Sequence, residues 1–165
     1  MEDIIRRRRS IRKFRDADIP KQDLEKMLEA AMLAPSACNT RPWEFYVVRD
    51  ITLRENFVKI NPHSKQILSA SLCIVVCGRP DLQEGICSSY WPQECGAAIE
   101  NLLLEATKLG YGTCWCGIYP SPGRSEKIKN LLHCKGIPVA MIAVGIADEA
   151  PVSRGCFDPE RVHYL

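Results

Sequence analysis

The chain has 165 residues, 46% hydrophobic and 25% charged, and its 22 Lys+Arg against 20 Asp+Glu give a formal net charge of +2. That length and balance fit one globular domain and exclude a generally basic polyanion coat, whose surplus would run along a whole face. The positive charge is local instead: residues 1–16 hold seven basic side chains against three acidic ones, so the remainder is slightly acidic.

The chain opens on MEDIIRRRR, charged rather than apolar, so no secretory signal is expected and the expected location is cytoplasmic. Ile4, Ile5 and Arg8 or Arg9 fall at helical spacing and predict a short helix over 3–9. A second helix is predicted from Pro20, where a first-turn proline is tolerated, with Leu24, Met27, Leu28 and Ala31 on one face and Pro35 as its stop. PSACNTRP is loop chemistry and leads into WEFYVV, an aromatic and β-branched strand. HSKQILSA reads as a short helix delivering the chain to the buried strand LCIVVC at 72–77. Residues 79–92 contain Pro80, Gly85 and Pro92, show no period, and predict an irregular surface excursion.

From Gln93 to Leu109 apolar residues cover most of a helix circumference, as in a helix covered on two sides or shared with a partner subunit. LGYGTCWCG is a glycine-stopped helix end entering a strand or turn. A polar helix at about 124–134 and the strand VAMIAVGI follow, and the last twenty residues look like an arm. No apolar run reaches the roughly 18 residues of a membrane span, and no internal repeat or domain boundary is visible. The expectation is a single domain over 1–165 with a C-terminal arm from about 146.

Nine cysteines cannot all pair within the chain. They form no C-x2-C spacing, and His63, His133 and His163 are scattered, which argues against a zinc or iron–sulfur site. Most are therefore expected as reduced thiols. Three stretches could carry chemistry. In RRRRSIRKF, Arg8, Ser10 and Arg12 alternate onto one side if the chain is extended there, and can converge on one phosphate; the competing reading is a solvated basic face. In APSACNTRPW, Ser36, Asn39 and Arg41 sit between prolines and could clamp a planar heterocycle, or could simply satisfy loop backbone. In GYGTCWCG, small residues admit close backbone approach and Trp115 supplies a flat wall. Cys114 and Cys116 form a C-x-C, but no basic residue or helix start nearby in sequence would lower a thiol pKa.

Taken in this order over essentially the whole chain, RRRSIRKF, LEAAMLAPSACNTRPWEFYVV, ECGAAIENLLLEATKLGYGTCWCG, and PVAMIAVGIADEAP with RGCFDPERVHYL resemble the nitroreductase family of FMN-dependent NAD(P)H oxidoreductases. The resemblance implies an α+β fold, a central mostly antiparallel sheet flanked by helices, working as an intertwined homodimer with FMN between the subunits. It implies that Arg8, Arg9, Ser10 and Arg12 bind the FMN phosphate and ribityl side, with Arg154 as a further phosphate ligand. Pro35, Ser36 and Asn39 would meet the isoalloxazine ring from the partner chain. Cys114, Trp115, Cys116 and Gly117 would run past the reactive edge, where a backbone N–H can donate to flavin N5. Lys65 and Gln66 would give polar flavin contacts, and Arg12 is the candidate cation beside N1 and the C2 carbonyl. No metal, membrane or nucleic-acid partner is implied.

Implied too is a ping-pong cycle in which NAD(P)H reduces the flavin and a small acceptor such as a nitroaromatic or quinone reoxidises it; the chemistry is the cofactor's, so no side-chain nucleophile is required. The chain departs from the family in two places. Only sixteen residues separate Cys77 from Glu94, so any active-site lid is abbreviated, and Cys116 stands where many members carry a non-thiol. Two alternatives stand beside this reading: a dehalogenase-like or flavin-consuming relative on the same fold, and a basic-armed nucleic-acid-binding protein.

Overall fold

The computed structural model describes residues 3–152, 155 and 157–165. The chain begins with a single helical turn, α1 (Ile4–Arg7), capped by Asp3, whose carboxylate accepts the Ile5 and Arg6 N–H groups. A two-residue strand, β1 (Phe14–Arg15), precedes α2 (Lys21–Met32), which buries Leu24, Met27 and Ala31. Pro20 serves as the N-cap of α2 rather than its first residue. Next come β2 (Trp43–Val48), α3 (Ile51–Ile60), a 3-10 segment (Pro62–Ile67) and β3 (Leu72–Gly78). The excursion over 79–90 holds two short 3-10 turns, Pro80–Leu82 and Gly85–Cys87. Then follow α4 (Trp91–Lys108), β4 (Gly112–Gly117), α5 (Pro122–Leu132) and β5 (Ile137–Ala147).

All strand pairings are antiparallel. The order is β1-β5-β3-β2, with β4 also paired to β5, so the long β5 is the hub. One isolated parallel bridge, Ser10 to Thr113, ties the arginine-rich segment to β4. The expected α+β fold with a mostly antiparallel sheet and flanking helices is therefore present.

The sheet is covered on both faces, which explains why LCIVVC shows no polar alternation. Side chains alternate across a strand: Leu72, Ile74 and Val76 of β3, with Ile142 and Val144 of β5, pack under α2 and α4 around Met27, Ile99 and Leu102. Cys73, Val75 and Cys77, with Met141 and Ala143, face the other way onto Phe57 of α3, Ile67 and Ile128 of α5. Most cysteines are core atoms in this arrangement, and the eight described are free thiols.

The helix α3 has no counterpart among the sequence expectations. Asp50 caps it by accepting the Leu53 N–H at 2.7 Å, and it buries Arg54 and Phe57. Among the described residues Arg54 forms no salt bridge; its guanidinium donates to the carbonyls of Ile67, Ala70 and Arg49, tying three chain turns together. The helix α4 starts at Trp91, two residues earlier than the sequence suggests, because Pro92 occupies a first-turn position. It lies on the sheet and α2, but Gln93, Gly96, Ala97, Glu100, Asn101 and Leu104, at helical spacing, stay partly or wholly exposed. Gly78 ends β3 where the Trp91 ring crosses it: a Cβ there would meet the indole at 2.2 Å. No helix among the described residues is long and apolar enough to cross a membrane.

Candidate functional site

The arginine-rich segment, the strand β4 and the 3-10 segment before β3 meet. Arg8, Arg9, Ser10 and Arg12 line one cleft of about 610 Å3 with Ile5, Pro151 and Val152, in the range of small-ligand sites. The alternation expected of Arg8, Ser10 and Arg12 is widened here, since Arg9 shares the cleft. These cations are held but not quenched. Arg8 Nε pairs with Glu100 of α4 at 2.9 Å, Arg9 Nη1 donates to the Arg8 carbonyl at 2.7 Å, and Arg12 Nη1 reaches the Ser10 carbonyl at 3.3 Å. Glu149 fixes the segment by accepting the Arg12 backbone N–H at 2.5 Å. The Arg9 Nε–H is buried and has no acceptor among the described residues. A buried donor left unpaired costs free energy until something accepts from it, so the cleft is set up for an anion.

The Ile11 N–H donates to the Thr113 carbonyl at 2.8 Å, joining this segment to β4. Because strand residues alternate their backbone polar groups between two edges, Thr113, Trp115 and Gly117 turn theirs away from β5. The Gly117 carbonyl confirms the direction by accepting from Asn61 Nδ2 at 3.1 Å. The N–H groups of Trp115 and Gly117 thus lie on one edge, and a Cβ built on Gly117 would meet nothing within 4 Å. Trp115 is exposed toward α4, beside Gly96, while Cys114 and Cys116 are buried on the opposite face.

Gln66 reaches β4 from behind, its amide donating to Cys116 Sγ at 2.9 Å and Cys114 Sγ at 3.3 Å. Hydrogen bonding with Cys116 is the main cause that holds the Cys114 thiol well below its ordinary value, at about 6, helped by Gln66 and the Arg12 charge against the opposing effect of burial. Cys116 is pushed far up by sharing a proton with Cys114 and by burial. The sequence expectation that nothing lowers a thiol here is corrected: Gln66 and Arg12 are 48 and 102 positions away in the chain, and only the fold brings them in. Lys65 is exposed on the same 3-10 segment.

Residues 35–41 form a separate site at the start of α4. Pro35 and Ser36 line a pocket with Ala37, Tyr90, Gln93, Glu94 and Ala97, and Asn39 lines a neighbouring one with Pro35 and Arg41. Cys38, Asn39 and Arg41 all have φ near +50°, a left-handed backbone that costs free energy for non-glycine residues and tends to gather at functional sites. Buried Glu94 holds the loop, accepting the Ala37 N–H at 2.6 Å and the Gln83 amide at 2.6 Å. Gln83 also donates to Thr40 Oγ1 at 3.1 Å. Ser36 Oγ accepts the Arg41 N–H and Asn39 Oδ1 accepts from Arg41 Nε, both at 3.0 Å. Ser36 and Asn39 therefore do satisfy loop groups, while keeping donors in hand. Glu94 and Gln83 carry no sequence signal: Glu94 is one of three glutamates in α4, and only the fold shows that it alone is buried.

Arg154 lies outside the described residues. Among the described residues no group of His, Cys, Asp or Glu could hold a metal ion.

Comparison with known proteins agrees with this fold. A sequence profile described as "Nitroreductase family" matches residues 5–72 and 88–146. A protein of Methanothermobacter thermautotrophicus, provisionally named NADH dehydrogenase/NAD(P)H nitroreductase, is 38% identical over 161 residues, covering 96% of this chain and 83% of the relative. The structure of an FMN-dependent nitroreductase of Clostridium difficile superposes with a TM-score of 0.87 at 28% identity, covering 98% of this chain and 96% of that one. A provisionally named NADH oxidase of Clostridium acetobutylicum superposes with a TM-score of 0.90 at 35% identity, covering 98% of each chain.

Proposed function

Because the chain belongs to the nitroreductase family, we propose that it is an FMN-dependent NAD(P)H oxidoreductase that acts as a homodimer on a small acceptor such as a nitroaromatic or quinone. The observation that carries this reading is the cleft of Arg8, Arg9, Ser10 and Arg12, with its unpaired Arg9 Nε–H, joined through the Ser10–Thr113 bridge to the donor edge of β4. An anionic phosphate next to a heterocycle fits that pairing of charge and neutral edge. FMN bound there would supply the redox chemistry, two-electron acceptance from NAD(P)H and delivery to the acceptor in ping-pong order.

The chain's own residues bind and orient. Arg8, Arg9, Ser10 and Arg12 would hold the phosphate and ribityl side, with Arg154 as a further ligand. The N–H groups on the β4 edge, at Trp115 and Gly117, would donate to the reactive edge of the ring, and the absent side chain at Gly117 leaves room for that approach. Cys114 and Cys116 stand behind the strand with Gln66, and Lys65 offers a further polar contact. Arg12 would favour negative charge on the pyrimidine side of the ring.

Pro35, Ser36 and Asn39 would come from the partner chain. Supporting a dimer are the exposed Met32, Leu33, Phe157 and Tyr164 and the partly exposed Gly96, Ala97 and Leu104 of α4, apolar groups that a partner surface can cover.

Purified protein tests the reading directly. The expected result is a yellow protein with flavin absorbance that, once stripped, rebinds one FMN per chain and is bleached by NADH or NADPH without oxygen. A colourless protein that FMN does not reconstitute would overturn it. Stopped-flow reduction by each nucleotide, followed by an acceptor panel, names the donor and the acceptor class.

A further inference from the structure

Cys38 and Cys87 are 49 positions apart in the chain, yet their sulfurs stand 2.8 Å from one another. The two differ in access. Cys38 is exposed, in the 35–41 loop, whereas Cys87 is 3% exposed and closes the 3-10 turn Gly85–Cys87. A disulfide S–S bond is about 2.05 Å long, so closure asks for an approach of about 0.8 Å. The segments have room to give it: Ile86, next to Cys87, is 83% exposed, so the turn is packed on one side only. The hydrogen bonds from Ala37 and Gln83 to Glu94 already hold the two carriers together.

No other close pair among the described cysteines combines contact with access. Cys77 and Cys134 are 3.9 Å apart but both buried. Cys114 and Cys116 are both buried and point the same way along one strand.

We propose that Cys38 and Cys87 form a reversible dithiol–disulfide pair, oxidised by a low-molecular-weight disulfide such as glutathione disulfide, that locks the 35–41 loop onto the 80–87 segment and slows FMN exchange. The effect on FMN rests on the reading that Ser36 and Asn39 meet the flavin ring. In the first step Cys38 gives its proton to solvent and its thiolate attacks one sulfur of the small disulfide, whose S–S bond breaks to release one small thiolate. Cys87 then loses its proton, its sulfur attacks Cys38 Sγ, and the second small thiolate leaves. Two protein thiols are oxidised and one small disulfide is reduced to two thiols, which carry away the electron pair and both protons. Entry is at Cys38, because Cys87 is buried and its hydrogen bond with Cys38, together with burial, raises its pKa.

The test treats flavin-loaded protein with oxidised glutathione, blocks remaining thiols by alkylation, and maps the products by peptide mass spectrometry. FMN release is followed in parallel. The proposal expects a linked peptide joining Cys38 to Cys87, a severalfold slower FMN release than from reduced protein, and reversal of both by dithiothreitol. Cys87→Ser should leave Cys38 as a glutathione adduct with release at the reduced rate, and Cys38→Ser should leave Cys87 unmodified. Wild-type protein that stops at the Cys38 adduct, or cross-linked protein that releases FMN as fast as reduced protein, overturns the proposal. Protein that retains no FMN in either state instead overturns the flavin reading, while the linked peptide from the same sample still decides whether the pair forms.

Discussion

The arginine cleft and the 35–41 loop are built in opposite ways. The cleft is made of long side chains satisfied by replaceable partners: Arg8 by Glu100, Arg9 and Arg12 by nearby carbonyls, with one buried N–H left over. The loop is made of short side chains and left-handed backbone, fixed by one buried carboxylate. The first adapts to a charge and the second presents a preset shape. A cofactor with an ionic tail and a rigid ring asks for that division, because a phosphate is gripped by movable cations whereas a flat ring is best met by a surface already in place. If the division holds, changes in the cleft should act mainly on FMN affinity, and changes under the loop should act first on stability.

The largest effect expected is on the cleft side. Removing two charge-assisted contacts at about 1.5–3 kcal/mol each predicts that Arg8→Ala with Arg12→Ala weakens FMN binding by about a hundredfold or more. Fluorescence titration of the stripped protein measures this, and the melting temperature of the stripped protein should stay close to that of wild type. Unchanged affinity would remove the cleft from the site.

On the loop side, Glu94→Ala leaves the Ala37 N–H and the Gln83 amide without their shared acceptor. Stranding buried donors costs about 1–3 kcal/mol, and roughly 2–4 °C of Tm per kcal/mol applies at this chain length. The expected outcome is a Tm lower by several degrees, read by calorimetry. Slower hydrogen exchange at residues 36–41 than in wild type would contradict the assigned role.

The thiol pair of β4, buried behind the strand that adjoins the cleft, should give the protein a pH signature. Cys114 is held below the ordinary thiol value, at about 6, so its contribution to stability is full above the unfolded-state value of about 8.5 and is lost as pH falls through about 6. Cys116 is displaced upward; its contribution is full below the ordinary thiol value and begins to be lost once the pH rises above about 8.5, where the unfolded chain gives up that proton first. Stability should therefore rise between pH 6 and pH 8.5, and Cys114→Ser should flatten that rise in denaturation curves taken across the range.

How much of this could be read from the sequence depended on whether the deciding contacts were local. The strand at 72–77, the largely apolar helix and the charged segment announce themselves by composition and period, and the structure has each of them. The helix α3 does not: ITLRENFVKI mixes β-branched and polar residues and buries an arginine, so its place is set by Asp50 capping and by carbonyls from distant turns. The lowered thiol at Cys114 and the contact between Cys38 and Cys87 are equally invisible in sequence, since each depends on a partner brought in by the sheet. The arginine cluster was legible because its charge is local, and its division of labour was not, because that depends on which carboxylates the fold sets beside it.

The smallest predicted effect tests that last point. Glu100 holds Arg8 at 2.9 Å, with both side chains partly exposed, and such a pair contributes only about 0–1 kcal/mol to stability. The same carboxylate must give up Arg8 before an anion can take it in full. Glu100→Gln keeps the shape, removes the competing charge, and should tighten FMN binding about two- to fivefold while lowering stability by less than about 1 kcal/mol. Raising the salt concentration should shrink the difference between variant and wild type, because screening weakens the Glu100 competition together with the phosphate attraction. A variant that bound FMN more weakly would mean that Glu100 orients Arg8 for the phosphate instead of competing with it, and the cleft would then be as preorganised as the loop.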